Sequence, residues 1–244
     1  MNRRRCLSLF AASSAASLVG SGCQRGVREE VTRWRGVLFN SDVDMAVHAM
    51  PPAVAEPLIR NCELEMQRLE KLFSLYLPDS PLSRLNRTGR LDNPPPELVD
   101  LVRKALLVAE RSGGAFDPTI QPYWTWLRET VETTGAIDPE AQAQFLEKVD
   151  FLQVRCGEEE LSFGREGMAL TLNGLSQGWI TDRATKILRD GGAQHCLVNL
   201  GEFYGLGTQP SGKDWIVGLR GVEGEEIALR DRALAVSSGA GLYF

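Results

Sequence analysis

An α+β fold built on a mixed or antiparallel sheet, with packed helices and a helical insertion, is the class this sequence predicts. Two observations carry it. Apolar residues recur at helical spacing in three separated stretches, and short β-rich runs lie before, between and after them. Their order lacks the regular strand-helix-strand rhythm of a parallel sheet.

The elements follow in chain order. Val37-Leu38-Phe39 and Val43-Asp44-Met45-Ala46-Val47 read as a hairpin, with Asn40-Ser41-Asp42 as its turn. Ile59, Cys62, Met66, Leu69 and Phe73 then recur at steps of three and four, so they share one buried face of a helix, with Arg60, Glu63, Gln67 and Glu70 turned to water. Pro94-Pro95-Pro96 leads stiffly into a second helix, in which Leu98, Leu101, Val102, Ala105, Leu106 and Ala109 share a face. Ser112-Gly113-Gly114 ends it. Residues 122 to 150, with Tyr123, Trp124 and Trp126 followed by many Glu and Gln, read as a helical insertion able to cover a site. Short strands are expected around Leu152-Gln153-Val154 and Met168-Ala169-Leu170. A third helix, carrying Ala184, Ile187 and Leu188, stops at Gly191-Gly192. Cys196-Leu197-Val198, Trp215-Ile216-Val217 and Ala233-Leu234-Ala235-Val236 read as further strands.

The N-terminus reads as an address. Arg3-Arg4-Arg5 precede an uncharged Ala-, Ser- and Leu-rich stretch from Cys6 to Cys23, the layout of an export signal, too short to span a bilayer comfortably. It resembles a twin-arginine signal, with ordinary secretion as the alternative. Gly20-Ser21-Gly22-Cys23 resembles a lipoprotein cleavage box, which makes Cys23 the expected lipidation site and a lipid anchor to a membrane an expected partner. Residues 1 to 22 are thus taken as the signal, 23 to 34 as a linker and 35 to 244 as one domain. Losing Arg3, Arg4 and Arg5 takes the formal net charge from −5 to about −8. Such a chain is a poor partner for nucleic acid. Cys62, Cys156 and Cys196 follow no zinc or redox spacing, and Cys62 and Cys196 fall on apolar runs as core residues do.

The most informative stretch is Leu172-Asn173-Gly174-Leu175-Ser176-Gln177-Gly178-Trp179-Ile180-Thr181-Asp182-Arg183. Read alone, it is a glycine-spaced polar turn running into a helix near Ile180. Amides freed by Gly174 and Gly178, together with the helix dipole, then suit an anion such as a phosphate; an ordinary loop and N-cap is the competing reading. Three other segments accompany it: Phe73-Ser74-Leu75-Tyr76 with Ser80-Pro81-Leu82-Ser83-Arg84-Leu85-Asn86, then Gly114-Ala115-Phe116-Asp117-Pro118-Thr119, then Asn199-Leu200-Gly201-Glu202. In order and spacing the four resemble the ApbE-type FAD:protein FMN transferases, over roughly residues 35 to 244.

The resemblance implies a magnesium-dependent enzyme that takes FAD, transfers its FMN half to a threonine hydroxyl of an acceptor flavoprotein, and releases AMP. FAD is then the substrate and Mg2+ the cofactor. Carried over residue by residue, the FAD-binding positions are Tyr76, Ser83, Asn86, Asp117, Thr119, Asn173, Gly174, Gln177, Gly178 and Asp182. Ser176 is the metal position, through its backbone carbonyl. Tyr76 is read either as stacking on a flavin or adenine ring or as packing beside Phe73. Asp117 is read as lining the pocket or capping a turn, and Asp182 as touching the nucleotide or capping the helix after it.

Departures from the pattern accompany the match. Where the family usually has Asp-Leu-Gly-Gly-Ile-Ala-Lys-Gly, this chain has Thr171-Leu172-Asn173-Gly174-Leu175-Ser176-Gln177-Gly178, losing an acid and a lysine, and the family's double glycine is shortened to Gly201-Glu202. Gln177 donates a hydrogen bond but does not neutralise a phosphate. These changes resemble a periplasmic subgroup linked to flavinylated electron-transfer proteins, including those of nitrous oxide respiration. Val236-Ser237-Ser238-Gly239 resembles the strand that precedes the family's catalytic His and its Asp and Thr metal ligands, all expected beyond Phe244, and His48 and His195 match neither position. The alternatives are an FAD-binding, non-catalytic exported lipoprotein and a hydrolase that splits FAD into FMN and AMP.

Overall fold

The computed structural model describes residues 30 to 218 and 225 to 237. The expected export signal, its cleavage box with Cys23, and Ser238-Gly239 lie outside them. Strands β1 (Val31–Leu38) and β2 (Ser41–His48) form the expected hairpin, in register from Val31↔His48 to Leu38↔Ser41. β1 opens four residues ahead of residue 35, because Val31 to Trp34 pair with Met45 to His48, so the linker expected as far as residue 34 is already sheet. The turn is the pair Phe39-Asn40, both at positive φ (46° and 63°), rather than Asn40-Ser41-Asp42. Two left-handed residues match the twist of the strands they join. The Phe39 N–H donates to Glu70 Oε1 at 2.8 Å, which holds the bulky residue in that conformation.

Helix α1 (Pro52–Phe73) follows, and its buried face is Ala55, Ile59, Cys62, Met66, Leu69 and Phe73, as the periodicity predicts. Helix α2 (Pro81–Thr88), strand β3 (Arg90–Asp92) and helix α3 (Pro96–Arg111) come next; α3 stops where Gly113 and Gly114 take positive φ. The insertion is helical as expected: α4 (Gln121–Thr133) and α5 (Pro139–Leu146), with the Trp126 and Phe145 rings stacked 5.3 Å apart. Strands β4 (Val154–Cys156) and β5 (Glu160–Phe163) join β3 in a small sheet of order β3-β5-β4. Helix α6 (Asn173–Asp190) leads to β6 (His195–Asn199), β7 (Phe203–Leu206), β8 (Trp215–Gly218), β9 (Glu226–Leu229) and β10 (Arg232–Leu234).

The main sheet runs β1-β2-β6-β7-β10, and its ladders are all antiparallel. Period-two alternation divides its two faces. Cys196 and Val198 of β6 join the core that includes α1 and α6 residues, while Leu197, Phe203 and Leu234 pack with Trp215, Val217 and Leu229 of the β8–β9 hairpin. Met168-Ala169-Leu170, expected as a strand, pairs with no strand among the described residues. The Asn86 carboxamide takes the place of one: its Nδ2 donates to the Leu170 carbonyl at 2.8 Å and its Oδ1 accepts the Leu170 N–H at 2.7 Å.

Candidate functional site: four segments on the first turns of one helix

Helix α6 begins at Asn173, seven residues before the start expected near Ile180. Gly174 and Gly178 are therefore helical residues rather than turn residues. A glycine-rich run with no Pro and a buried Leu172 ahead of it winds into a helix once packing favours it, whatever its low propensity. The amide cradle read from the sequence shrinks accordingly. Asn173 N–H donates to Thr171 Oγ1 at 3.3 Å, and the amides of Leu175 and Ser176 donate to the Leu172 carbonyl at 2.9 and 2.8 Å. Of the first four α6 amides, Gly174 alone has no partner among the described residues. The Gly178 N–H, in the second turn, belongs to the helical ladder.

The first segment reaches this helix through Asn86. Upstream of it, serines tie the chain down: Ser74 Oγ accepts the amides of Tyr76 and Leu77, and the Ser74 carbonyl accepts the hydroxyls of Ser80 (2.6 Å) and Ser83 (3.1 Å). Ser80 also caps α2 by accepting the Ser83 N–H. Ser83, expected at the nucleotide, is thus engaged in the turn. That turn leaves the Tyr76 ring 72 % exposed, which removes packing beside Phe73 as its role and leaves a free aromatic face. The fixing serine, Ser74, is 4 % exposed and was not singled out in the sequence; its place at the end of a buried helical stripe is the signal that marks it.

The second segment closes the base of the insertion. Asp117 Oδ1 accepts the Thr119 N–H (2.8 Å) and the Thr119 hydroxyl (2.6 Å), while its Oδ2 accepts the Phe151 N–H (3.1 Å). Thr119 Oγ1 in turn accepts the Asp150 N–H at 2.8 Å. Thr119 is fully buried, so its contact with a ligand gives way to fastening residues 150 and 151 where the insertion returns. Asp117 caps the 3-10 turn Pro118–Ile120, the turn-capping alternative. The segment meets the lead-in to α6 and its first turn. The Pro118 carbonyl accepts the Thr171 N–H at 2.8 Å, and Phe116 Cε2 lies 3.2 Å from where a Gly174 side chain would start.

The fourth segment meets α6 one turn later. Gly201 sits at φ +98°, and a methyl group there would lie 2.5 Å from Gln177 Cδ and Nε2. Thr181 Oγ1 contacts the carbonyls of both Gln177 (2.8 Å) and Glu202 (3.4 Å). Glu202 Oε2 accepts the Val236 N–H at 3.1 Å, just past the end of β10, and Asn199 Nδ2 donates to Asp44 Oδ1. Burial raises the Glu202 carboxyl above the ordinary Glu value, partly offset by that Val236 bond. Asp182 caps nothing, since it lies in the third turn of α6; desolvation raises its carboxyl despite Lys104 and Arg189 nearby.

The metal expectation finds little here. Among the described residues no group of three His, Cys, Asp or Glu is placed to hold an ion. Ser176 is 2 % exposed and fourth in α6, so its carbonyl points along the axis into the helical ladder. The two histidines take structural positions, facing each other across the β2–β6 ladder, with His48 edge-on to Trp215 at 5.1 Å and His195 Nδ1 2.6 Å from the Thr208 carbonyl. Burial pushes the thiols of the core residues Cys62 and Cys196 up to about 12, and these two and the partly buried Cys156 are unbridged. A cleft of about 670 Å3 borders Asn86 on its far side, over the polar face of the small sheet. Of the four arginines that line it, Arg90 and Arg165 are paired, with Asp92, Glu160 and Asp150, and Arg87 donates to the Pro78 carbonyl; Arg155 is the fourth.

Comparison with known proteins bears on this arrangement. The model of the ApbE family matches residues 39–244. A curated FAD:protein FMN transferase of Treponema pallidum (strain Nichols) is 28% identical over 202 residues, covering 72% of this chain and 55% of that protein. The chain thus spans about half the length of the curated relative it matches. Among solved structures, the apo form of the Pseudomonas stutzeri flavinyl transferase ApbE superposes with a TM-score of 0.75 at 21% identity, covering 85% of this chain and 69% of that one. A variant of the Vibrio cholerae flavin transferase ApbE gives 0.73 at 19% identity, covering 84% and 72%. These two likenesses establish the fold. Joined to a family match running through all four segments that meet at α6, they place the chain in the ApbE family.

Proposed function

We propose that this chain transfers the FMN half of FAD to a threonine hydroxyl of an acceptor flavoprotein and releases AMP. One observation carries the reading. Segments up to 126 positions apart, from Phe73 to Asn199, converge on the start of α6: Asn86 on Leu170 and Pro118 on Thr171 just ahead of the helix, Phe116 on Gly174 and Gly201 on Gln177 within its first two turns. A fold brings distant polar and glycine positions together in this way for a ligand more readily than for packing, which apolar side chains do better. The curated relative from Treponema pallidum, an FAD:protein FMN transferase, supports the same reaction.

In the transfer the threonine Oγ attacks the phosphorus of the FMN half, the bond from that phosphorus to the bridging oxygen breaks so that AMP leaves with that oxygen, and the hydroxyl proton passes to solvent. Chemistry of this kind asks mostly for positioning. The exposed Tyr76 ring offers a stacking face, and Asn173 and Gln177 offer side-chain amides at the helix start. Asn86, Asp117 and Ser83 hold the main chain that carries these groups, and Gly178 leaves open space beside the second turn for a ligand to approach. Magnesium belongs to the reading through the resemblance; the described residues supply no ligand set, and no step is assigned to it. The chain's place is exported and periplasmic, tethered through a lipid on Cys23; labelled fatty acid on wild type but not on Cys23→Ala tests that tether.

The activity test is direct. Protein, FAD, magnesium and a threonine-bearing acceptor domain are incubated together and resolved on a denaturing gel. A covalent fluorescent band with AMP release is the expected result. AMP without a band makes the chain an FAD hydrolase, and bound FAD without either makes it an FAD-binding protein.

A further inference from the structure

We infer that Gly201 is a positioning residue, whose missing side chain seats the Gln177 carboxamide so that Gln177 reads a neutral hydrogen-bonding edge of FAD, a sugar hydroxyl or ring amide, rather than its diphosphate. This rests on the reading that FAD occupies the site. Three features carry it. A Cβ on Gly201 would fall 2.5 Å from both Cδ and Nε2 of Gln177, so the amide rests against this glycine and any side chain there would displace it; at φ +98° the backbone favours glycine as well. Half-buried as it is, the carboxamide makes no hydrogen bond among the described residues, which leaves two donors and an acceptor oriented but unused. An amide held in place without a protein partner is costly unless a ligand or water completes it.

The neighbourhood decides what it reads. Glu202 follows Gly201 directly, and its carboxylate has no cationic partner among the described residues. That carboxylate, which accepts the Val236 N–H, is the one charged group of the 199–202 turn, so a diphosphate docked on this turn meets repulsion while a hydroxyl or N–H does not. Thr181, touching the Gln177 and Glu202 carbonyls together, locks the helix turn and the 199–202 turn into one unit.

FAD binding by fluorescence titration of full-length protein tests the inference. Gln177→Ala is expected to lose roughly tenfold in affinity, about one good hydrogen bond. Gly201→Ala should lose as much, and the double variant no more than either. Gln177→Asn, which keeps the amide but shortens its reach, should behave like Gln177→Ala and carries the test where Gly201→Ala fails to fold. Gln177→Lys should bind no more tightly than wild type. Full affinity in Gln177→Ala, additive losses in the double variant, or tighter binding by Gln177→Lys overturns the inference. No FAD binding by wild type overturns the proposed function along with it, a result distinct from a wild type that binds and variants that bind equally well.

Discussion

Helices α1 and α6 both line the core of this protein, and they are built on opposite principles. Each buries six residues. In α1 all six are apolar: Ala55, Ile59, Cys62, Met66, Leu69 and Phe73. In α6 three carry hydroxyls, Ser176, Thr181 and Thr185, and two glycines stand in the first two turns. α1 is a scaffold along its whole length. α6 is an apolar scaffold from Ile180 onward, where Ile180, Ala184 and Leu188 are buried, while the residues just ahead of it, Leu170 and Thr171, are held by Asn86 and Pro118, and Thr181 in its third turn contacts the Glu202 carbonyl. A helix made this way gives up apolar burial at one end and relies on its neighbours to stay wound there.

The contrast predicts different costs for substitution at the two places. The largest is in the scaffold: Leu69→Ala, at a position with no exposure, should lower unfolding free energy by roughly 2 to 5 kcal/mol in a urea titration. FAD affinity measured on the folded fraction should be unchanged, and a loss there would erase the distinction between the helices. Asn86→Ala comes next, since it strands both the N–H and the carbonyl of Leu170. A loss of about 1 to 3 kcal/mol is expected by the same titration. Here FAD binding should weaken too, because the lead-in to α6 shifts; binding at wild-type strength would place the site elsewhere.

Gly178→Ala sharpens the contrast by separating the two properties. A methyl group there meets open space in a helical residue, so thermal unfolding should show a gain of roughly 0.5 to 1 kcal/mol. FAD affinity should fall if the ligand approaches that backbone closely. A variant more stable and equally good at binding would make Gly178 a mere weakness of the helix. The smallest effect concerns pH. The Glu202 carboxyl is raised in the folded chain, so the folded state favours its proton. Its contribution is therefore full below the ordinary Glu range and is lost as pH rises through the raised value. Thermal unfolding of wild type and Glu202→Gln, compared in acidic and neutral buffer, should show wild type losing ground relative to the variant as pH rises; parallel curves would mean that burial does not perturb this carboxyl.

How far the site was legible depends on what kind of signal each residue gives. The apolar stripes of α1 and α3 repeat often enough to announce their buried faces, and the β1–β2 hairpin is bracketed by alternating residues. Strands β3, β5, β7 and β9 escaped notice, since three or four residues such as Arg90-Leu91-Asp92 hold too few alternations to register. The start of α6 was misplaced because Gly174 and Gly178 read as turn formers by propensity, and propensity yielded to packing. Asp117 and Thr119 carried the motif yet act on residues 150 and 151, partners that no local pattern names.

By itself, the sequence determined the α+β class, the buried faces of α1 and α3, and the family pattern in four segments. Those depend on residue type and short-range spacing, which a linear chain displays. Only the tertiary structure decided that Asn86 holds Leu170, that Thr119 is buried, that Tyr76 is open to solvent, and that Gln177 lies on Gly201. Those are contacts between side chains and main chain far apart in sequence, governed by direction and distance in space, and hydrogen bonds of that kind leave no period along the chain.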